Sequence, residues 1–268
     1  MSLPSFAKIH EGEVHNFEIS KSKFGDILTW AERVKEIAST EIISKMPAPQ
    51  EYIDLLHIQG NAFVTSLILL MKAHIFFSYS VARVGVEATT RMATIETNFE
   101  RHLKVWQKHN YAKRHSSEFR NAKRDFNRVF TDPRAKHDYS AFMEEDEYRV
   151  LFERWDFLSE CGSHAGFIQT IFSMVHEKSG ENESLKSGIF DVNENDNNQI
   201  GKCMVYIIDT FFLCALICVR ILLRHDLNLK RSLQNIESLM DEWIEFKLAK
   251  AQEFGIKSPD ELMKRSNI

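Results

Sequence analysis

Three small groups of side chains have the types and spacing to do chemistry. The first is Arg83, Glu87 and Arg91, spaced i, i+4, i+8, which places all three on one face of a helix. Their neighbours Val81, Ala82, Val84, Val86, Ala88, Met92 and Ala93 are apolar or small, so the charges sit on a helix that packs and they need partners. They form either a salt-bridge ladder or an arginine aimed into a cleft and held by Glu87. The second group lies in "RWDFLSECGSHAG" (154–166), where Glu160 and His164 are i, i+4 and face the same way, with Arg154 and Asp156 upstream. A carboxylate on an imidazole fixes its tautomer, and such a pair is a general acid–base unit. Gly162 and Ser163 beside it let a second backbone or a ligand come close. The bland alternative is a tight helix crossing in which Glu160 satisfies His164. The third is Asp209, in the middle of the most apolar stretch of the chain. A buried carboxylate has to be paired or protonated, and Arg83, Arg91 and His164 are the expected partners.

A fourth feature is electrostatic. Residues 104–136 carry ten Lys/Arg and three acids, a local charge of +7 in a chain whose total is −4. Arg120, Arg124 and Arg128 form an i, i+4 stripe with Lys123 beside it, and Trp106 and Tyr111 lie upstream. Phe119, Phe126 and Phe130 form a separate apolar stripe. A basic helical face near aromatics suits a nucleic-acid backbone; a solvated face is the alternative. "DVNEND" (191–196) begins like a calcium loop but has Asp196 where the glycine belongs and Lys202 where the final glutamate belongs. No P-loop, GxSxG elbow or HExxH occurs.

The elements that position these residues read as long helices. Only 10 glycines and 5 prolines punctuate 268 residues, and no strand pattern persists. Residues 1–20 read as a loose or strapped-on N-terminal segment. Helical periodicity starts at Ser22 with Phe24, Ile27, Leu28, Ala31, Val34 and Ala38, and must stop before "MPAP" (46–49). Further helices are expected at about 50–77, from about 78 to 98 or beyond, from Ser116 or Ser117 to 130, and over 144–175, 200–225 and 229–253, with a short last turn at 258–266. Residues 177–200 are polar and acidic and read as one long loop. The expectation is an all-α bundle, with residues 21–268 as a single domain.

Composition is ordinary for a globular chain, with 44% hydrophobic and 27% charged residues. The four cysteines include no CxxC pair and read as reduced core residues, so no metal and no cofactor is expected. The N-terminus lacks the apolar segment of a secretory signal. The apolar run 203–223 has spanning length, but Asp209 and Arg220 interrupt it; no membrane partner and a cytoplasmic location are expected.

The order of features resembles a group of bacterial helical proteins of unknown function. In these, a helix with an arginine and a glutamate four residues on precedes one of the form Tyr…Leu-Ser…His. The matching residues are Arg83 and Glu87, then Tyr148, Leu158, Ser159 and His164. The resemblance covers about residues 50–225 and implies the fold and a bacterial origin. "RILLRH", Arg220 to His225, is similar to the arginine–histidine mark of the HEPN superfamily, with Ile221 where that family usually has a polar residue. That similarity implies attack by a ribose 2′-hydroxyl, with histidine moving protons and arginine holding the phosphate. The expected function is thus a HEPN-like, RNA-directed protein, a metal-independent endoribonuclease of a defence or toxin system, self-associating as a homodimer. His164 would transfer protons, oriented by Glu160; Arg83 or Arg91 would hold the phosphate, with Asp209 in the same polar site. Arg120, Lys123, Arg124 and Arg128 would bind RNA. The rival is a non-catalytic helical interaction or ligand-binding module.

Overall fold

The computed structural model describes residues 6–37, 49–131, 137–163, 174–179, 182–187, 197–226 and 229–254. Among them are eight helices: α1 (Phe6–Glu36), α2 (Gln50–Met71), α3 (Ile75–Thr97), α4 (Phe99–Tyr111), α5 (Ser117–Phe130), α6 (Glu145–Ser163), α7 (Asn197–Leu223) and α8 (Lys230–Glu253). The chain is an all-α bundle.

Helix α7 is the centre. It touches α1, α2, α3, α6 and α8, and a helix surrounded on so many sides has to be apolar all round. Phe211, Phe212, Cys214, Ile217 and Val219 are sealed from solvent accordingly. Two helices, α2 and the Ile200–Leu223 part of α7, are long and apolar enough to cross a membrane, but the second is 83% buried inside the protein. Around α7, rings do much of the packing: Phe63 stacks on Phe211 at 4.9 Å, and Trp243 on Phe212 at 5.6 Å. Each buried ring contributes about 1.5–3 kcal/mol by leaving water. Helices α2 and α3 pack tightly at Gly85, where a Cβ would lie 2.7 Å from the Phe63 ring.

Several helix limits differ from those the periodicity predicts. From Phe6 onward the N-terminal segment is helical, and the expected boundary at residue 20 falls inside α1. Phe17, Ser20, Phe24 and Ile27 continue one helical stripe onto the core, with a kink at Phe24 (φ −121°, ψ 17°). Helix α2 stops at Met71 rather than 77, because Ala73 turns the chain in the left-handed region (φ 64°). Of the limits left open for the helix from about 78, the one at Asn98 is found: the backbone turns there (φ −152°, ψ 74°) and separates α3 from α4. The predicted cap of α5 is found: the Ser116 hydroxyl accepts from Phe119 N–H at 3.0 Å. The polar stretch 177–200 contains part of a short antiparallel hairpin, β1 (Met174–Ser179) and β2 (Asn182–Ser187), which pairs only with itself. The last turn expected at 258–266 lies outside the described residues.

Candidate functional site

The charged stripe of α3 is a ladder. Arg83 Nε donates to Glu87 Oε1 at 2.8 Å, and Arg91 Nη2 approaches Glu87 Oε2 at 3.5 Å. Arg91 also lies over the Trp106 ring of α4, 5.8 Å from its centroid. Both arginines are therefore committed to Glu87, and the cluster expected around Asp209 is composed differently.

Asp209 projects from the middle of α7 and meets α6 and α8. Arg154 Nη2 forms a short ion pair with its Oδ2. Lys247 Nζ (2.7 Å) and Trp243 Nε1 (2.9 Å) both donate to Oδ1. Arg154 also donates to Thr210 Oγ1 at 2.7 Å. Burial alone would raise the carboxyl's pKa, but the Arg154 and Lys247 charges reverse this and hold it well below the usual carboxylate range. Asp209 therefore stays ionised at neutral pH and ties three helices together. The correction to the expected partners is thus Arg154 and Lys247 in place of Arg83 and Arg91. Glu160 is exposed near the end of α6; His164 lies outside the described residues. Beside Glu160, burial pushes the Cys161 thiol up to about 11, and the Glu160 charge adds to this.

A second polar group sits where the start of α2, the end of α3, the start of α4 and the end of α7 meet. Its centre is Glu96, whose side chain is 4% exposed. Its Oε2 accepts from the Tyr52 hydroxyl at 2.8 Å and faces His225 Nε2 at 2.8 Å. Arg224 Nε lies 2.7 Å from Oε1. Burial and the Glu96 charge push the Tyr52 hydroxyl far up, so it remains a donor. A carboxylate facing Nε2 selects the tautomer protonated there and leaves Nδ1 of the neutral ring as the base. His225 is 24% exposed and Arg224 is 44% exposed. Solvent thus reaches the base and the cation but not the carboxylate that orients them. Arg220, the first residue of "RILLRH", points elsewhere and is gripped by Glu147 at 2.6 and 2.7 Å.

The adjoining histidines are structural. His102 Nδ1 donates to Thr94 O at 2.8 Å and His137 Nε2 to Val129 O at 2.9 Å. Among the described residues, no three His, Cys, Asp or Glu side chains group as metal ligands.

The basic residues occupy a helical hairpin, α4–α5, that starts at this end. Phe99, the first residue of α4, packs on the His225 ring at 4.8 Å. Arg120, Lys123, Arg124 and Arg128 are all exposed on α5. Arg101, Lys104 and Lys108 of α4 line a cleft of about 410 Å³ against Ala122 and Asp125 of α5. The nearby aromatics hold the hairpin shut: Trp106 lies 5.7 Å from Phe126 and 5.5 Å from Phe130, and His109 stacks on Phe126 at 4.1 Å. Tyr111, 70% exposed, remains open to a ligand.

Sequence reasoning missed Glu96 and Tyr52. Glu96 stands in "TIETNF" with no cation at i±3 or i±4, and its partners Tyr52 and His225 lie 44 and 129 positions away. The one available signal was "RILLRH", which names His225 but not the carboxylate that orients it. No family model, no curated protein and no solved structure matches this chain.

Proposed function

We propose that this chain is an RNA-directed, HEPN-like bundle protein, a bacterial cytoplasmic endoribonuclease of a defence or toxin system, with His225 as its proton-transfer group. The observation that carries this is the solvent-reachable His225 held by the buried Glu96, at the root of the basic α4–α5 hairpin. His225 Nδ1 accepts the proton of a ribose 2′-hydroxyl. The 2′-oxygen then bonds to the adjacent phosphorus as the P–O5′ bond breaks. The resulting imidazolium returns its proton to the departing 5′-oxygen, giving a 2′,3′-cyclic phosphate and a 5′-hydroxyl. Arg224 places its Nε on Glu96 and its Nη1 3.4 Å from Ala141 O, and its guanidinium, 44% exposed, is the group offered to the phosphate. Arg220, occupied by Glu147, is not needed for that role.

The test is cleavage of a mixed-sequence single-stranded RNA by the wild type, His225→Ala, Glu96→Gln and His164→Ala. The expected result is a loss of about 10²-fold or more in His225→Ala with unchanged helical circular dichroism. A full loss in His164→Ala with His225→Ala active moves the site to the end of α6. A wild type that neither cuts nor binds RNA, in which His225→Ala only lowers the melting temperature, makes the chain a non-catalytic interaction module.

A further inference from the structure

The α4–α5 hairpin carries charge that the protein does not neutralise. Residues 99–130 hold nine Lys/Arg and three acids, and all nine cations are exposed. Arg33 and Arg149, on other helices, each meet an acid, Glu242 and Asp146. Among the described residues, none of the nine hairpin cations lies within ion-pair distance of a carboxylate.

Three of the nine share a helix face with an open aromatic ring. Arg101, Lys104, Lys108 and Tyr111 stand at i, i+3, i+7 and i+10 of α4, which makes them one stripe. The three cations line the cleft of about 410 Å³ against α5, where they outnumber its acids, Glu100 and Asp125. The cleft reaches Asn98, the residue before Phe99, and Phe99 packs on the His225 ring. Tyr111 ends the stripe and is 70% exposed, more than any other large apolar side chain among the described residues. From Phe99 to Tyr111 the helix rises about 18 Å. Cations in a row hold a phosphate backbone, and an open ring at the end of the row stacks on a base. A duplex keeps its base faces inside the stack and gives such a ring nothing to cover.

We infer that this stripe is a track for a single strand of RNA, its phosphates on Arg101, Lys104 and Lys108 and one base stacked on Tyr111. The inference rests on the RNA-directed reading above and adds which form of RNA is held and where. The track leads away from His225, so the base on Tyr111 lies outside the bond to be cut.

The experiment is fluorescence anisotropy of the full chain with a labelled 2′-O-methyl oligouridine dodecamer, at several salt concentrations. This strand has no free 2′-hydroxyl, so binding is read apart from cleavage. The same strand annealed to its oligoadenosine complement is the duplex control. The single strand is expected to bind about tenfold tighter than the duplex. Tyr111→Ala should weaken single-strand binding about tenfold and leave the salt slope unchanged, while Tyr111→Phe keeps the ring and the affinity. Lys104→Gln and Lys108→Gln should each flatten the slope of log affinity against log salt by about 0.7. All four positions are exposed, and an unchanged helical circular dichroism checks the fold. Duplex binding as tight as the single strand overturns the inference, as does Tyr111→Ala binding like the wild type. Absence of saturable binding to either form also overturns it and leaves the cationic face to an acidic protein. If the dodecamer binds as expected but the wild type cuts no RNA, the track stands and the catalytic reading of His225 fails. If RNA is cut and neither Tyr111→Ala nor Lys104→Gln alters binding, the track fails and the catalytic reading stands.

Discussion

At the scale of single residues, the two buried carboxylates differ in what surrounds them. Asp209 is enclosed by two cations and an indole, and nothing is left over for chemistry. Glu96 is the more deeply buried of the two, at 4% against 14% exposed, yet its partners His225 and Arg224 reach water. The first arrangement is a structural tie and the second an orienting device. Asp209→Asn removes the charge that balances Arg154, a side chain only 6% exposed. A cost of about 3–5 kcal/mol is expected from chemical denaturation, the usual effect of stranding one member of a buried pair. The pH dependence follows in sign. A carboxyl held below its ordinary value of 3.8 contributes its full stabilisation above that pH and loses it as the pH falls through the depressed folded value. The wild type should therefore lose stability in acid more steeply than Asp209→Asn does.

At the scale of helices, the turn between α2 and α3 is strapped by α1. Glu13 Oε1 lies 2.8 Å from His74 Nε2, and Lys72 Nζ is 3.3 Å from Oε2. The hydrogen bond to His74, aided by Lys72, holds the Glu13 carboxyl below its ordinary value of 4.5. Its contribution is thus present above pH 4.5 and disappears as the pH drops through the lowered folded value. Glu13→Gln should be less stable than the wild type at neutral pH and equal to it in strong acid. Equal denaturation midpoints at both pH values would show that the strap does not stabilise the bundle. This contact also explains why residues before 22 fold with the bundle: α1 carries both an apolar stripe and an acid that the Ala73 turn needs.

At the scale of the whole molecule, charge is segregated. The chain is acidic overall, yet the α4–α5 hairpin presents exposed cations on both helices. Such a face attracts a polyanion chiefly through counterion release, so its affinity falls with salt. If it holds RNA, Arg124→Glu should weaken binding across all sequences and reduce the slope of log affinity against log salt by about one or more. Filter binding at several ionic strengths measures this, and an unchanged slope would remove the hairpin from the interface. Trp106 is not expected to contribute to base stacking, because Phe126 and Phe130 already cover it.

What the sequence determined by itself is whatever depends on neighbours within a turn or two. The buried run of α7, the Ser116 cap and the Arg83–Glu87–Arg91 ladder all follow from i, i+3 and i+4 spacing, which the helix geometry makes into contacts. That Asp209 must be either paired or protonated was equally legible, because a lone charge in so apolar a helix is too costly to leave unpaired. Which cation it takes was decided only in the tertiary structure, where α6 brings Arg154 and α8 brings Lys247 to the same point. The same holds for the Glu96 group: Tyr52 comes from α2, Glu96 from α3, and Arg224 and His225 from the residues just beyond α7. Their meeting depends on where α2 and α3 stop. Those ends are set by backbone turns at Ala73 and Asn98 that neither residue type announces. Local spacing decides which face of a helix is charged, and only the packing of helices decides what that face meets.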